Sequence, residues 1–310
     1  MSSQQSVLFD APGPRARRWI VLGNVLGALV VLGIAALVVV QLAAKGQFAA
    51  ALWEPIFTSS AWQNYFIPGL QNTLRAAGYA IVGAVIFGLV FGSGRLARVR
   101  AVRWLSGVVV EFFRAVPVLL MMVFFWLLFG FNRISDDPAF LAVVIALILY
   151  NGSVIAELVR AGVGNLPKGQ SEAGLAVGLT GGQVLRSIQL PQALIAMLPA
   201  LVSQLVVVLK DTALGQIITY NELLRAAQIF GNGNSNNLQT LTVAALIFIV
   251  INWALTAVAR WLSRYLSGRT AGQTAAGPGI GNPVAIAGKG PGAPPVTAGD
   301  PGGGGGGSVL

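Results

Sequence analysis

The 310-residue sequence contains no cysteine and no histidine. The lack of cysteine excludes disulfide bonds and thiol nucleophiles, and the lack of both residue types excludes most zinc sites. Acid–base catalysis by histidine is excluded for the same reason. Charged side chains are also scarce, at 10% of residues against 55% hydrophobic ones, whereas an ordinary soluble domain carries about 25% charged residues. Most of this chain is therefore expected to lie in lipid.

Two sequence patterns for binding phosphates and nucleic acids are missing as well. No stretch matches the GxxxxGK(S/T) phosphate loop, because GVGNLPKG at 162–169 lacks the Lys–Ser/Thr step that would open a helix. No basic stretch is interleaved with aromatic residues, so we attribute the net charge of +10 to loops that face anionic lipid. We expect the chain to bind no nucleic acid, no metal, and no ATP or other cofactor of its own.

The sequence does contain a set of long apolar runs. Six of them match the roughly 20 residues that a helix needs to cross a bilayer, at 19–43, 69–94, 104–130, 139–162, 193–218 and 238–262. The sequence thus predicts an all-α membrane protein with six transmembrane helices. The first run is too long for the apolar region of a signal peptide, and we interpret it as a retained helix.

The basic residues of the connecting segments predict the orientation of the chain. They are concentrated before the first run and after the second, fourth and sixth, whereas the other connections carry mixed charges. The positive-inside rule then places both termini and the loop 163–192 in the cytoplasm. The predicted parts are a cytoplasmic N-terminus, an N-terminal helix, an external segment, a helical core and a disordered Gly/Pro-rich tail, at 1–18, 19–43, 44–68, 69–265 and 270–310.

One cytoplasmic segment, SEAGLAVGLTGGQVLRSIQLP at 171–191, is too polar and too rich in glycine to cross a membrane. Ser171 is expected to cap a first short helix that follows it. Thr180 and Gln183 have the spacing of a capping box that opens a second short helix, and Pro191 is expected to close that helix. From the residues alone, the segment is either a docking surface for a partner or an interfacial loop that packs on its own protein.

The spacing within this segment resembles the EAA motif, EAA–x3–G–x9–I–x–LP, of the permease subunits of bacterial ABC importers. Seven residues carry the match: Glu172, Ala173, Gly174, Gly178, Ile188, Leu190 and Pro191. The departure is Gly174, where the family usually has alanine, and it weakens the local helix by up to ~1 kcal/mol. The resemblance implies that these residues couple the chain to a separate ATPase, in whose cleft the loop would sit.

Other stretches resemble the polar amino-acid branch of the same permeases. They are NTLRAAGYAIVGAVIFGLVFGSGRLA, EFFRAVPVLLM, AELVRAGVGNLPKGQSEA and LKDTAL, at 72–97, 111–121, 156–173 and 209–214. The resemblance covers about 69–265 and implies a five-helix type I permease core, to which 19–43 adds one helix. The stretches SVLFDAPGPRARR and YNGSVIAE further resemble actinobacterial glutamate-uptake permeases.

The resemblance also implies a function and a set of partners. The chain would be the permease subunit of an ATP-driven importer in a bacterial plasma membrane, most simply for glutamate, with arginine, glutamine and aspartate as alternatives. Two cytoplasmic ATPase subunits would bind ATP and Mg²⁺, so the chain itself would not be an enzyme. A homologous permease or a second copy of the chain would complete the membrane part, and an extracytoplasmic binding protein would deliver the amino acid.

Charged residues inside the third predicted span are candidates for a substrate pathway. Glu111 and Arg114 are three residues apart and share a helix face. Arg114 is expected to lie about 16 Å from the cytoplasmic end at Arg103, near the bilayer middle. Pro117 leaves a helical carbonyl without its usual partner, and transporters bind ligands at broken helices near the midplane. The alternative is an internal salt bridge that stabilises the helix.

A second pair of charges, Lys210 and Asp211, interrupts the fifth predicted span. Adjacent residues point about 100° apart on a helix, so each needs a partner on another helix or a water-filled cavity. Lys210 is a candidate contact for an anionic substrate, or it pairs with Glu157 or Glu111. Two other classes of function stay open from the residues alone: a membrane enzyme built on such carboxylates, and a channel or secondary transporter that needs no ATP.

Overall fold

The computed structural model describes residues 13–274, and the beginning of the predicted N-terminus and the tail from 275 to 310 lie outside the described residues. Thirteen helices make up this range: α1 Pro14–Ala44, α2 Ala50–Trp53, α3 Ser59–Ala61, α4 Ile67–Arg95, α5 Arg100–Ala115, α6 Val118–Phe131, α7 Pro138–Gly164, α8 Lys168–Ala176, α9 Gly181–Val184, α10 Leu190–Ala196, α11 Leu198–Asp211, α12 Leu223–Gly233 and α13 Asn237–Thr274. Short 3₁₀ or π-helical stretches lie at Glu54–Phe57, Trp62–Phe66, Leu185–Gln189 and Thr212–Ile218. The prediction of an all-α fold is confirmed.

Five helical stretches are long and apolar enough to cross a membrane, and the number becomes six when the bent pair α5–α6 counts as one span. The five are Arg15–Ala44, Ser59–Arg95, Pro138–Gly164, Leu198–Ile218 and Asn237–Val258. The predicted set of six spans is therefore confirmed, with one of them broken. Of the described residues, 13–268 belong to one compact unit, and 269–274 at the end of α13 fall outside it.

The broken span is the third predicted one, and the break lies at Pro117, as the sequence indicates. α5 ends at Ala115, α6 begins at Val118, and the two axes bend by 97°. Val116 adopts an extended backbone with φ −83° and ψ 126°, because the ring of Pro117 disfavours the α region for the residue before it. Proline thus reorients the whole helix, and α5 does not continue the direction of α6.

The centre of the bundle is the contact between α4 and α7. Small residues recur every fourth position on the buried face of α4: Ala76, Ala80, Ala84, Gly88 and Gly92. A Cβ at Gly88 would overlap Ile155 of α7, and one at Gly92 would lie 2.9 Å from Cβ of Val159. Such stripes let the backbones of membrane helices approach closely, where dispersion and weak polar contacts hold them together.

The two parts of the chain that precede α4 differ in their packing. The segment between α1 and α4 packs on α12 and α13, where Ile56 and Phe66 are buried with Leu223 and Phe230. In contrast, the apolar window of α1 buries none of its residues against the rest of the protein. α1 therefore behaves as a helix added to a core that is complete without it.

Candidate functional site

The polar segment 168–191, which we call the hook, consists of two helical arms. The first arm is α8, and it begins at Lys168 instead of after Ser171, so the predicted cap is wrong. The N–H of Gln170 already donates to the carbonyl of Pro167, at 3.0 Å, which places Ser171 inside the first turn. A helix that began after Ser171 would not include the turn that this hydrogen bond closes.

Gly178, a residue of the EAA pattern, reverses the chain after the first arm. Its φ is +88°, a left-handed conformation that glycine adopts without the steric penalty of a side chain. The N–H of Leu179 donates to the carbonyl of Gly174 at 3.2 Å, and the N–H of Gly178 donates to that of Leu175 at 3.0 Å. These two bonds form a Schellman motif, so the glycine fixes the bend of the hook.

The second arm begins with the capping box that the sequence predicts. The backbone N–H of Thr180 donates to Oε1 of Gln183 at 2.7 Å, and the reciprocal half of the box is present as well. The predicted end of this arm is wrong, because the chain stays helical through Pro191 into α10. A π-helical turn at Leu185–Gln189 makes this possible: the N–H of Leu190 donates to Leu185 five residues back, and the wider turn accommodates the proline ring.

The seven residues of the pattern divide into two groups in the hook. Gly174 is buried where the arms meet, and a Cβ there would lie 2.9 Å from Val184 and 3.0 Å from Ile188. Leu190 packs against the α7 residues Ile155 and Val159. Glycine at 174 is thus explained by the close contact of the arms, and these residues shape the hook.

The other group lies on the outer face of the hook. Glu172, Ala173 and Pro191 are exposed. Between them lie two exposed apolar side chains that the sequence reasoning missed, Leu175 at 45% exposure and Val177 at 78%. An exposed mixture of one carboxylate and several apolar groups is suited to contact with another protein.

Glu111 and Arg114 belong to a cluster of five charges that joins α4, α5 and α7. Arg95 donates to Glu157 at 2.7 Å and to Glu111 at 3.1 Å. Arg114 lies 3.5 Å from Glu111 and 3.7 Å from Glu157, and Arg160 also binds Glu157. The internal salt bridge that was one alternative is therefore present, but three of its five members were not predicted as site residues.

The position of this cluster corrects the depth inferred for Arg114. Arg95 is the last residue of α4, and Glu157 lies seven residues before the end of α7, which is about 10 Å. The cluster therefore lies toward the helix ends from which the hook emerges, and the inferred position near the bilayer middle is wrong. Arg103 and Arg114 both lie in α5, which is bent by 97° from α6, so the distance of about 16 Å along α5 is not a depth in the direction of α6.

Lys210 and Asp211 diverge, as their adjacency on a helix predicts. Lys210 lines a cavity of about 510 Å³ together with Phe248 and Asn252 of α13 and several apolar side chains. Within residues 13–274 it makes no hydrogen bond or ion pair, so the predicted pairing with Glu157 or Glu111 is wrong. Those carboxylates bind arginines instead.

Asp211 lies on the side of α11 that faces α7. The side chain of Asn151, which is fully buried in α7, lies near it. The Oδ1 of Asn151 accepts a hydrogen bond from Gln204 of α11 at 2.6 Å, whereas its Nδ2 is buried without a partner in the described structure. In that part of the chain no hydrogen bond or ion pair joins this group to Glu111 or Arg114. The predicted pathway residues are therefore spread over the charge cluster and bend of α5, the cavity at Lys210 and the contact of Asp211 with α7.

Glu222 is a buried carboxyl group that the sequence reasoning treated only as a loop charge. It precedes α12 and accepts hydrogen bonds from the N–H groups of Leu224 at 2.8 Å and Arg225 at 2.7 Å. Burial raises the pKa of Glu222 to about 7, although these two hydrogen bonds oppose the shift. An acidic residue directly before an amphipathic LLRAAQIF stretch is the signal for such a helix cap.

Comparisons with known proteins agree with this geometry. The chain is similar to the glutamate transport system permease protein GluD of Corynebacterium glutamicum, at 46% identity over 73% of this chain and 84% of that protein. It is also similar to the glutamate/aspartate import permease protein GltK of Escherichia coli, at 28% identity over 64% and 92%. The glutamine transport system permease protein GlnP of Escherichia coli matches at 33% identity over 64% and 91%.

Solved structures resemble the same part of the chain. A crystal structure of an amino acid ABC transporter with histidines matches with a TM-score of 0.59 and 26% identity, over 64% of this chain and 93% of that one. The MetNI methionine ABC transporter shares the fold at 18% identity, with a TM-score of 0.54. Residues 84–272, which include the hook and both charged sites, match the family described as binding-protein-dependent transport system inner membrane component. The chain therefore belongs to this family of membrane permeases.

Proposed function

We propose that this chain is the membrane-spanning permease subunit of an ATP-driven ABC importer for polar amino acids, with glutamate as its substrate. The observation that carries the proposal is the hook, whose exposed face holds Glu172 and Ala173 of the EAA pattern on a rigid, glycine-bent frame. The similarity to GluD at 46% identity supports glutamate. The sequence contains no phosphate loop, so ATP hydrolysis is assigned to partner subunits.

The proposed assembly follows from this assignment. Two ATPase subunits, which bind ATP and Mg²⁺, contact the hooks in the cytoplasm, and a homologous permease or a second copy of this chain completes the pathway. An extracytoplasmic binding protein delivers the amino acid on the other side. The positive-inside rule supports this orientation, with both termini in the cytoplasm of a bacterial cell.

The hook is built to transmit a displacement to the bundle. Its second arm continues without interruption through the π-helical turn into α10, and Leu190 and Leu194 pack on Ile155 and Val159 of α7. Because α7 packs along α4 through small residues, a rigid-body shift of the hook moves the centre of the bundle. Binding-protein docking and ATP binding then shift the population between inward-facing and outward-facing states.

The substrate pathway is assigned to the surroundings of Lys210 and Asp211. Lys210 is a cation without a partner in residues 13–274, at the edge of a largely apolar cavity, and suits a substrate carboxylate. Asp211 lies outside this cavity, on the side of α11 that faces Asn151 of α7, and is a separate candidate contact for the substrate ammonium group. Glu111, Arg114 and Pro117 act differently in this proposal: the charge cluster and the bend hold α5 against α4 and α7.

The test of the coupling role is the substitution Glu172→Lys. It reverses one exposed charge on the face offered to the ATPase, and we expect ATP hydrolysis stimulated by the binding protein to fall to the unstimulated rate while the subunit still inserts. The matched control is Arg100→Glu, which also reverses one exposed charge on the proposed cytoplasmic side but lies outside the hook, and it is expected to leave stimulation unchanged. Normal stimulation in Glu172→Lys contradicts the proposal.

The substrate is tested separately by uptake of labelled glutamate in a strain that lacks the gene. Complementation by this chain with its partners, and competition by excess unlabelled glutamate, is the expected result. Stronger competition by glutamine, arginine or aspartate assigns the importer to that amino acid instead. Uptake that persists after ATP depletion contradicts the importer assignment altogether.

A further inference from the structure

A groove of about 740 Å³ lies between the end of α4 and the second arm of the hook. Its apolar part is formed by Leu89 and Val90 of α4 with Leu185 of the hook, and its polar part by Arg98 and Arg186 with neighbouring serines. Of the seven EAA-pattern residues, Leu190 is the one among its lining residues, and the three on the outer face, Glu172, Ala173 and Pro191, are not among them. It is therefore a second surface of the hook, and one that the proposed coupling contact does not explain.

The two arginines of the groove are free to bind an anion. Arg98 and Arg186 are exposed, and in the described part of the chain neither makes a hydrogen bond or an ion pair. The three arginines of the charge cluster, in contrast, all bind carboxylates. No aspartate or glutamate is among the described residues that line the groove, so its charge is uncompensated.

The backbone at Gly181 leaves room for one of these side chains. A Cβ at this position would overlap the guanidinium group of Arg98, which therefore lies directly against the start of the second arm. Arg98 and Arg186 thus approach the groove from two different elements, the loop that follows α4 and the hook. A ligand held between them would connect the end of a membrane span to the hook.

The apolar side of the groove is continuous with a surface of α4 that faces outward. Tyr79, Val82, Ile86 and Val90 are each about 60% exposed, and their spacing of three and four residues places them on one side of the helix. This stripe runs along α4 and ends at the groove with Val90. Arg98 follows eight residues later, in the loop after α4. Along α4 toward its C-terminal end, the apolar side chains suited to contact an acyl chain come before the arginines, which lie at the level of the lipid headgroups.

We propose that the groove binds one anionic phospholipid of the inner leaflet, with its phosphate between Arg98 and Arg186 and an acyl chain along Val90. Guanidinium groups bind phosphate oxygens in a bidentate geometry, and basic residues at the cytoplasmic surface attract anionic lipid. The leaflet assignment rests on the proposed orientation of the hook. The lipid would tie α4 to the hook, so coupling would depend on the composition of the membrane.

The proposal is tested with the full chain in its assembled transporter, by native mass spectrometry with phosphatidylglycerol or phosphatidylcholine added. The wild type is expected to retain phosphatidylglycerol preferentially. The double variant Arg98→Gln/Arg186→Gln is expected to lose this preference by about 30-fold, as two membrane-facing cations imply. The matched control, Arg100→Gln/Lys168→Gln, removes the same charge from two exposed positions outside the groove and is expected to bind as the wild type does.

Three results would overturn the proposal. Equal retention of phosphatidylglycerol by both double variants would mean that the groove holds no lipid. Displacement of the lipid by millimolar inorganic phosphate would indicate a site for a free anion. Efficient cross-linking of Ser187→Cys to the ATPase in the resting complex would show that a protein covers the groove. These results leave the coupling assignment intact, because Glu172→Lys tests that separately.

Discussion

Replacing Gly174 by leucine is expected to separate the two arms of the hook and to uncouple transport from ATP hydrolysis. Gly174 lies in the middle of the first arm, with an ideal Cβ 2.9 Å from Cγ2 of Val184 and 3.0 Å from Cδ1 of Ile188. Val184 is buried, at 1% exposure, and its branched side chain has little rotamer freedom in a helix. The arms therefore cannot absorb a large side chain without moving apart.

The size of the effect depends on the size of the side chain that replaces Gly174. Gly174→Ala gains up to ~1 kcal/mol of helix propensity, and the two close contacts need shifts of only a few tenths of an ångström, so we expect stability within about 1 kcal/mol of the wild type. Gly174→Leu adds three further carbons to the closed interface, and overpacking of this kind costs about 1–3 kcal/mol. Opening the hook relieves that cost, and the outer face then loses its geometry.

The measurement is ATP hydrolysis and amino-acid uptake in proteoliposomes that contain the complete transporter and its binding protein. Gly174→Ala is expected to couple normally, whereas Gly174→Leu is expected to insert but to hydrolyse ATP without stimulation or uptake. Gly169→Leu is the matched control, because Gly169 lies in the same arm and has open space at its Cβ. Normal coupling by Gly174→Leu, or equal loss in Gly169→Leu, would refute the reasoning.

Two further predictions concern residues outside the hook. Lys210→Ala is expected to raise the KM for uptake of an anionic amino acid by about tenfold or more, since one charge-assisted contact is lost. Lys210→Arg is expected to retain most of the affinity. An unchanged KM in Lys210→Ala would exclude the contact. Glu222 has a pKa of about 7 in the folded state, above its ordinary value of 4.5, so the folded state binds the proton more tightly and stability falls as the pH rises from about 5 to 7. Glu222→Gln is expected to flatten this part of the Tm profile, and an unchanged slope would argue against it.

The hook illustrates how far local patterns reach. The capping box of Thr180 and Gln183 was predictable because both halves lie within one helical turn. The starts and ends were less predictable: Ser171 has the chemistry of a cap, yet the turn after Pro167 begins the helix earlier. Pro191 would end an ordinary α-helix, but the π-helical turn before it changes the hydrogen-bond register.

The charged residues illustrate the opposite limit. Glu111 and Arg114 were predictable as a pair because they are three residues apart. Their partners Arg95 and Glu157 are separated by 62 residues along the chain, and no pattern in one sequence pairs them. For Lys210 the sequence left two alternatives, a contact to an anionic substrate or a pair with Glu157 or Glu111; the structure excludes the pair and places Lys210 beside a cavity.

The sequence by itself determined the properties that depend on neighbours along the chain: the apolar length of each span, the small-residue stripe of α4, the break at Pro117, and the capping box and glycine turn of the hook. Only the tertiary structure decided which distant charges meet, that α5 turns away from α6 by 97°, and that Glu222 and Asn151 are buried. The physical reason is the separation along the chain over which each effect acts. Backbone propensities act within a turn or two, whereas ion pairing and burial depend on which helices pack together.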